Sequence, residues 1–192
     1  MEDHLAEFFA RYLVSQIDRA ELAARFVDEE LQRIHEEPQM QQPLSTDAVW
    51  YHLENLLSAL TSIANVLWTS NNKNPHKRRS KQLRAYFEIE HLTIDPGLRE
   101  TRNSFEHLDE RVDIWWAISE RRNIADRNIG PKGMIQGLDE SDFARAFDPT
   151  TGEISAFGKS VNLATVMAFV SELRPRIAPF TEPLWLRDRT KA

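Results

Sequence analysis

Apolar residues recur at three- and four-residue steps along most of this chain, which is the spacing that places side chains on one face of an α-helix. The first such run predicts a helix from about Asp3 to His35. A second, broader apolar face predicts a helix that begins after Ser45 or Thr46 and ends near Trp68. The Glu36–Pro43 segment contains two prolines and no periodicity, and we expect it to be a connection.

Three further helices are predicted from the same pattern. A short third helix contains Leu83, Tyr86 and Phe87. A strongly charged fourth helix begins with Asp95 as its cap and Pro96 at its first position, and should continue to about Glu120. A last helix is indicated by apolar residues from Leu163 to Leu173. Regular helix beyond it should be prevented by Pro175, Pro179 and Pro183.

The fourth helix has two chemically different faces. At about 100° per residue, one arc suits packing against a core and contains Leu98, Thr101, Phe105, Leu108, Val112 and Trp115. The opposite arc is polar and contains Arg102, Asn103, Glu106, His107, Glu110 and Asp113. One face of this helix is therefore expected to pack, and the other is available for chemistry.

The pattern changes beyond Arg122, where glycines and a proline indicate a loop. Phe143, Arg145 and Phe147 alternate with small residues, as in a β-strand. Asp148 to Gly152 has proline early and glycine late, which is typical of a five-residue hairpin connection. Glu153 to Phe157 should return as the second strand, and Ile124 to Ile129 could add a third.

These elements predict a mainly α fold, a helical bundle of about four to five helices with a small C-terminal β-hairpin or meander. The length of 192 residues and the 41% apolar content suit a single domain over 1–192. Within it we expect a β-hairpin insertion at about 123–160 and a proline-containing tail at 175–192.

Composition excludes several classes of protein. The net charge of −6 argues against wholesale binding to polyanions, although a local basic patch could still bind one. The absence of cysteine excludes disulfides, thiolate metal sites and cysteine nucleophiles. The acidic start lacks the features of a signal peptide, and no run approaches 18 apolar residues. We expect a soluble, cytoplasmic protein with no membrane partner.

The densest positive charge lies between Thr69 and Tyr86, a stretch without Asp or Glu. Its cations are Lys73, Lys77, Arg78, Arg79, Lys81 and Arg84. One interpretation is a solvated loop and helix start, and the other is a surface that contacts a phosphate backbone. The sequence leaves both open.

Motifs for metals and nucleotides are weak. Glu88 to His91 forms one Glu-x-x-His unit, but the second copy that a di-iron bundle requires is missing. No phosphate-binding glycine loop or Gly-x-Ser-x-Gly motif occurs. We therefore predict no metal site and no cofactor.

The motif that remains is Arg102-Asn103-Ser104-Phe105-Glu106-His107. It resembles the R-x(4 to 6)-H signature of the HEPN superfamily of small helical-bundle proteins, in which a polar residue commonly follows the arginine. The wider run from Arg102 to Asp113, with the later Asp148 to Gly152 turn, also resembles a group of bacterial proteins. The resemblance covers roughly Leu44 to Leu173, although a β-hairpin is not a feature of the common HEPN bundle.

The HEPN resemblance implies metal-independent cleavage of RNA phosphodiesters by a homodimer, as in toxin-type effectors that are held in check by an inhibitory partner protein. His107 would act in proton transfer, Arg102 would hold the scissile phosphate, and Asn103 would orient either group. Imidazole and guanidinium suit these tasks, because one titrates near neutral pH and the other binds phosphate with two parallel hydrogen bonds.

A structural alternative uses the same residues. Arg102 faces Glu106, and Asn103 faces His107, at the i,i+4 spacing of helix neighbours. The nearby carboxylates of Asp109, Glu110 and Asp113 would also repel phosphate. The second hypothesis is therefore a noncatalytic helical protein that dimerises or binds other proteins. A nuclease should place the basic segment near His107 of the same or a partner subunit. An interaction protein should keep the two regions far apart and should satisfy His107 with partners within the chain.

Overall fold

The computed structural model describes residues 2–36, 46–70 and 73–182. In this part of the chain the protein has six α-helices: α1 (Asp3–Glu36), α2 (Asp47–Leu67), α3 (Asn74–Tyr86), α4 (Pro96–Glu106), α5 (Leu108–Ile118) and α6 (Leu163–Ile177). Four short strands form one sheet: β1 (Asn128–Ile129), β2 (Ala146–Asp148), β3 (Glu153–Ala156) and β4 (Lys159–Asn162). The predicted fold class, mainly α with a C-terminal β part, is confirmed. Most of the predicted connection between α1 and α2, and the chain after residue 182, lie outside the described residues.

Helices α1 and α2 form the centre of the core and run antiparallel. Phe26, late in α1, stacks on His52, early in α2, with ring centroids 4.9 Å apart. Alanines on the buried face of α1, among them Ala6, Ala10 and Ala20, let the two helices approach closely. Both helices were predicted from their apolar periodicity, and both are confirmed. No helix among the described residues is long and apolar enough to cross a bilayer.

The C-terminal end of α2 receives side chains from both α3 and α4. The last carbonyls of a helix have no partner within the helix and carry a partial negative charge. Ser80 and Arg84 donate to the Leu67 carbonyl, while Arg99 donates to the Ala64 carbonyl at 2.8 Å and to the Trp68 carbonyl. Burial lowers the pKa of Arg99. This end of α2 is therefore a contact point that α3 and α4 share.

Helix α4 begins as the sequence predicts, because the Asp95 side chain accepts a hydrogen bond from the Gly97 N–H at 2.8 Å. It does not continue to Glu120, so that prediction is wrong. The helix ends at Glu106, and α5 begins at Leu108 after a break at His107, where φ is −111° and ψ is 44°. The helical hydrogen bonds on either side of the break persist, since His107 donates to Asn103 and accepts from Arg111, both at 3.0 Å.

The sheet has the order β1-β2-β3-β4, with β1 parallel to β2 and the other pairs antiparallel. Phe147, Ile154 and Val161 lie directly opposite one another on neighbouring strands and join the helical core. The predicted hairpin turn is confirmed at Asp148 to Gly152, where Gly152 has a φ of +73°. Phe143 makes only an isolated bridge to Ala125, so β2 begins later than predicted.

Helix α6 packs on α1 and continues through Pro175 to Ile177, contrary to the prediction that proline would end it. Arg174 makes two hydrogen bonds with Glu21, at 2.9 and 2.7 Å, and also pairs with Asp18. These contacts over the last turn offset the hydrogen bond that proline cannot donate. The 3₁₀ turn that follows, residues 178–181, is held by a bond from Arg11 to the Thr181 carbonyl at 3.2 Å.

Candidate functional site

The break between α4 and α5 exposes two of the three predicted catalytic residues. His107 is 53% exposed, and its Nδ1 lies 3.8 Å from Glu110 Oε1, which is beyond hydrogen-bonding distance. Asn103 is also exposed. No side-chain hydrogen bond joins Asn103 to His107 among the described residues, so the contact between them is the backbone bond described above. His107 is therefore accessible to solvent.

Arg102, the third predicted catalytic residue, is engaged within the protein. Its guanidinium forms an ion pair with Glu106, as the structural alternative requires, and its side chain is only 24% exposed. Burial lowers the pKa of Arg102. The side chain lines a cleft of about 230 Å³, whose other walls are Glu54, Leu57, Ser58, Phe105, Glu106 and Arg145. Arg102 thus faces α2 and the residue that precedes β2.

Arg145 is the principal residue of this cleft that the sequence does not identify. Its guanidinium makes two hydrogen bonds with Asp126, at 2.8 and 2.5 Å, and one with Glu54 at 3.0 Å. The bonds to Asp126 raise the pKa of Arg145. Burial acts to raise the pKa of Asp126, but the hydrogen bonds and charge of Arg145, together with the backbone N–H and charge of Arg127, outweigh it, and this pKa is lowered. The only feature of the sequence that could have pointed to Arg145 is its position between Phe143 and Phe147, in a segment where large and small residues alternate.

The charges around this cleft do not favour phosphate. The guanidinium groups of Arg102 and Arg145 face three carboxylates, those of Glu54, Glu106 and Asp126. A phosphate entering the cleft would have to displace a carboxylate from an existing pair, with the accompanying loss of its hydrogen bonds. The observed arrangement joins α2, α4 and the sheet to one another.

The predicted basic segment lies on α3 and divides into two groups. Arg79 lies 5.2 Å from the Phe9 ring centroid, and Arg84 donates to the Leu67 carbonyl and to Ser80 Oγ, the latter at 2.8 Å. These two arginines therefore support packing. The other four, Lys73, Lys77, Arg78 and Lys81, are exposed.

The basic segment and His107 lie at opposite ends of α2 within one chain. The Phe105 ring centroid, close to His107, is 6.2 Å from that of Trp50 near the start of α2. Helix α3 instead contacts Leu67 at the end of α2. The intervening 17 residues of helix span about 26 Å at 1.5 Å per residue. A single chain therefore does not combine these residues in one cleft.

Helix α5 is held to the rest of the protein chiefly by Trp115, its one buried residue. The indole Nε1–H of Trp115 donates to Asp142 Oδ1 at 2.9 Å, and Asp142 Oδ2 accepts from the Asp139 N–H at 2.9 Å. The side chains of Ile114, Trp116 and Ile118 are exposed, Ile118 by 71%. Arg122 lies over the Trp116 ring, 4.5 Å from its centroid.

A second cleft, of about 320 Å³, lies between the end of α5 and the 3₁₀ turn at residues 140–142. Its walls include Glu120, Arg121, Asp139 and Asp142. Arg121 donates to the Gly137 carbonyl at 2.8 Å. Across the described ranges, no group of three or more His, Asp or Glu side chains is arranged to hold a metal ion.

Comparison of the chain with protein-family models, with curated proteins and with solved structures finds no match. The geometry of the described residues is therefore the basis for the functional proposals that follow, and the HEPN relationship is a hypothesis that rests on the Arg102 to His107 motif.

Proposed function

We propose that this protein is a noncatalytic helical interaction module. The observation that carries the proposal is helix α5, whose 11 residues include a single buried one while three large apolar side chains face solvent. Short helices are marginal in water, and their stability comes mainly from packing an apolar face. Exposed apolar surface commonly marks a protein interaction site. Ile114 and Ile118 lie one turn apart on one side of α5, and Trp116 lies towards the other side, so a partner would have to lie across the exposed face. A partner that covers Ile114, Trp116 and Ile118 would supply the missing packing.

The environment of Arg102 supports the same proposal. The residue that would hold a scissile phosphate is paired with Glu106 and turned towards the cleft with Arg145. The exposed cations that would guide RNA are about 26 Å away along α2. Both features suit an arginine that stabilises the fold.

The first test is cleavage of a mixed pool of structured and single-stranded RNA in the presence of EDTA. We expect the wild type and His107→Ala to be equally inactive. Cleavage by the wild type that is lost in His107→Ala, with the helical circular dichroism unchanged, would overturn the noncatalytic proposal.

A second test concerns stability. Replacing Trp116 and Ile118 by serine should change the free energy of unfolding by no more than about 1 kcal/mol in total, because exposed side chains contribute little to folding. A loss of several kcal/mol would mean that these side chains pack within the protein, and the proposal would fail. Trp115→Ser is the matched buried variant and should cost about 3–5 kcal/mol.

A HEPN-like, metal-independent ribonuclease or toxin-type effector is the second candidate, and the exposure of His107 beside Asn103 favours it. In a homodimer, His107 would move the proton of a ribose 2′-OH, and Arg102 would leave Glu106 to hold the phosphate, with Asn103 orienting them. The cations of α3 would guide RNA from the partner subunit, and an inhibitory protein would keep the enzyme in check. In the assay above, Arg102→Ala should then be as inactive as His107→Ala.

A further inference from the structure

We infer that the solvent face of α5 in one copy of this chain docks into a basic groove beside α3 in a second copy. The inference deepens the proposed interaction function, and rests on it, by naming the partner. The contact brings the basic segment of one copy near His107 of the other, but it pairs those cations with the α5 carboxylates, so this nearness does not by itself indicate a nuclease. The α5 face consists of Asp109, Glu110, Asp113, Ile114, Trp116 and Ile118. The α3 groove is lined by Leu5, Asn74, Pro75 and Gln82 and by the basic residues Lys77, Arg78, Arg79 and Lys81.

The α5 face combines negative charge with apolar edges. At 100° per residue, Asp109, Asp113 and Glu110 occupy the middle of the exposed arc. Trp116 lies at one edge of this arc, and Ile114 and Ile118 lie towards the other. In the described part of the chain, neither Asp109 nor Asp113 takes part in an ion pair. Their charges are therefore available to a partner.

The α3 groove has the complementary properties. It has a volume of about 840 Å³, and among the described residues no acidic side chain lines it. Lys77 and Lys81 are exposed one helical turn apart, the same i,i+4 spacing that separates Asp109 from Asp113. Leu5 supplies an apolar wall. Phe8, one turn further along α1, is 63% exposed.

The carboxylates closest to this groove in sequence already have partners. Asp3 Oδ1 accepts a hydrogen bond from the Tyr86 hydroxyl at 2.9 Å, and Glu7 is paired with Arg11 at 2.5 Å. The positive charge of Lys77, Arg78 and Lys81 is thus left for an external acidic group.

The two surfaces cannot meet within one chain, because they lie at opposite ends of α2. A second copy supplies both the missing acidic face and the missing basic groove. Each copy can therefore use its α5 face and its α3 groove at once, either in a closed pair with two equivalent contacts or in a chain of copies. A closed pair would contain two such contacts and would bury twice the surface area of one contact. A stable protein–protein interface buries roughly 1,200–2,000 Å² in total.

Two charge-reversed variants test the contact, with association measured by sedimentation of the full chain over a range of concentrations. Lys77→Glu with Lys81→Glu reverses the groove, and Asp109→Lys with Asp113→Lys reverses the α5 face. Each double variant should weaken self-association at least about tenfold, because like charges then face each other. Arg25→Glu, an exposed change on α1 outside both surfaces, is the control and should associate as the wild type does.

The decisive variant carries all four substitutions. Its α3 groove is then acidic and its α5 face is basic, so the two surfaces are complementary again and association should be restored. An equimolar mixture of the two double variants should also associate. Restoration cannot result from a folding defect, so it separates docking from loss of structure. Association of the wild type without restoration in the fourfold variant would overturn this contact.

A wild type that stays monomeric throughout would overturn the second copy as the partner. That result would not decide whether the protein is noncatalytic, because the RNA assay tests that proposal separately. Failure of the self-docking inference can therefore be distinguished from failure of the proposed function.

Discussion

The α-carbon of Gly97 in α4 lies so close to the backbone carbonyl of Ser160 in β4 that a methyl group on Gly97 would overlap the Ser160 oxygen. Both partners are fixed, because Gly97 follows the Asp95 cap and Ser160 is paired with Ser155 in β3. The helix that carries Arg102 thereby packs on the sheet, whose strand β2 directly follows Arg145.

Gly97→Ala should therefore destabilise the protein, although alanine is the better helix former. Because the obstructing atom belongs to the backbone, α4 or β4 must shift, and we expect a loss of about 1–3 kcal/mol in the free energy of unfolding. Urea unfolding followed by circular dichroism measures it. Gly133→Ala is the matched control, since nothing lies within 4 Å of its added methyl group. Equal stability of the two variants would contradict the close approach.

Trp115→Phe should cost about 2–4 kcal/mol. The substitution leaves a cavity and removes the donor to Asp142, whose carboxylate is buried. Trp116→Phe changes an exposed ring and should cost less than about 1 kcal/mol. Guanidinium unfolding of both variants, monitored by circular dichroism, gives the comparison. A loss for Trp116→Phe as large as that for Trp115→Phe would show that the anchor of α5 is not Trp115 alone.

The pairing of Asp126 with Arg145 should make stability depend on pH. Because the pKa of Asp126 is lowered in the folded protein, the pair stabilises the fold above the unfolded pKa of about 4. That stabilisation is lost as the pH falls through the folded pKa. The difference in Tm between the wild type and Asp126→Asn should be largest near neutral pH and should shrink below about pH 4.

The control for this prediction is the Arg145→Met background. With Arg145 gone, only Arg127 still lowers the pKa of Asp126, so the Tm difference produced by Asp126→Asn should shrink much less on acidification. If the Tm difference shrinks as much without Arg145 as with it, the pH dependence does not come from the pair of Asp126 with Arg145.

Pro175→Ala should stabilise the protein by about 1–2 kcal/mol. Alanine restores a backbone N–H within the last turn of α6 and removes the clash of the proline ring, with a partial offset because the unfolded chain regains freedom. Pro179→Ala lies at the start of the 3₁₀ turn, where proline is tolerated, and should change stability by less than about 0.5 kcal/mol. Thermal unfolding of both variants measures these changes. A Tm for Pro175→Ala below that of the wild type would refute the prediction.

Elements that depend on local chemistry can be predicted from this sequence. The apolar repeats of α1 and α2 extend over 34 and 21 residues, which is enough to identify both helices. The hairpin turn is equally local, because Asp148 Oδ1 accepts from the Thr150 N–H at 2.9 Å and Gly152 adopts a positive φ. The Asp95 cap is local as well, because its side chain accepts a hydrogen bond from the N–H of Gly97, two residues further along the chain.

Elements that depend on distant contacts cannot be predicted in this way. The break at His107 lies in a run of helix-compatible residues, and α5 is held at its new position by Asp142, 27 residues beyond Trp115. Strand β4 follows a turn in which Phe157 has a φ of 47°. A positive φ is rare for phenylalanine, so the sequence does not indicate a turn at this position. Helix α6 passes Pro175 because Arg174 binds Glu21.

In the candidate site, too, local contacts could be predicted from the sequence and distant contacts could not. The i,i+4 pair of Arg102 and Glu106 is local and could be predicted as the structural alternative. The partners of Arg145 could not, since Glu54 is 91 residues away in the chain. The cleft exists only because the sheet brings Arg145 to α2.

The contact between α6 and α1 has a consequence for synthesis of the protein. Helices α1 and α2 are adjacent in sequence and can pair early, as domains begin to fold while the chain is being made. The carboxylates of Asp18 and Glu21 must wait for Arg174, which follows Glu21 by 153 residues. Until α6 has formed, this side of α1 therefore lacks the arginine that pairs with its carboxylates, and α6 covers it only late in synthesis.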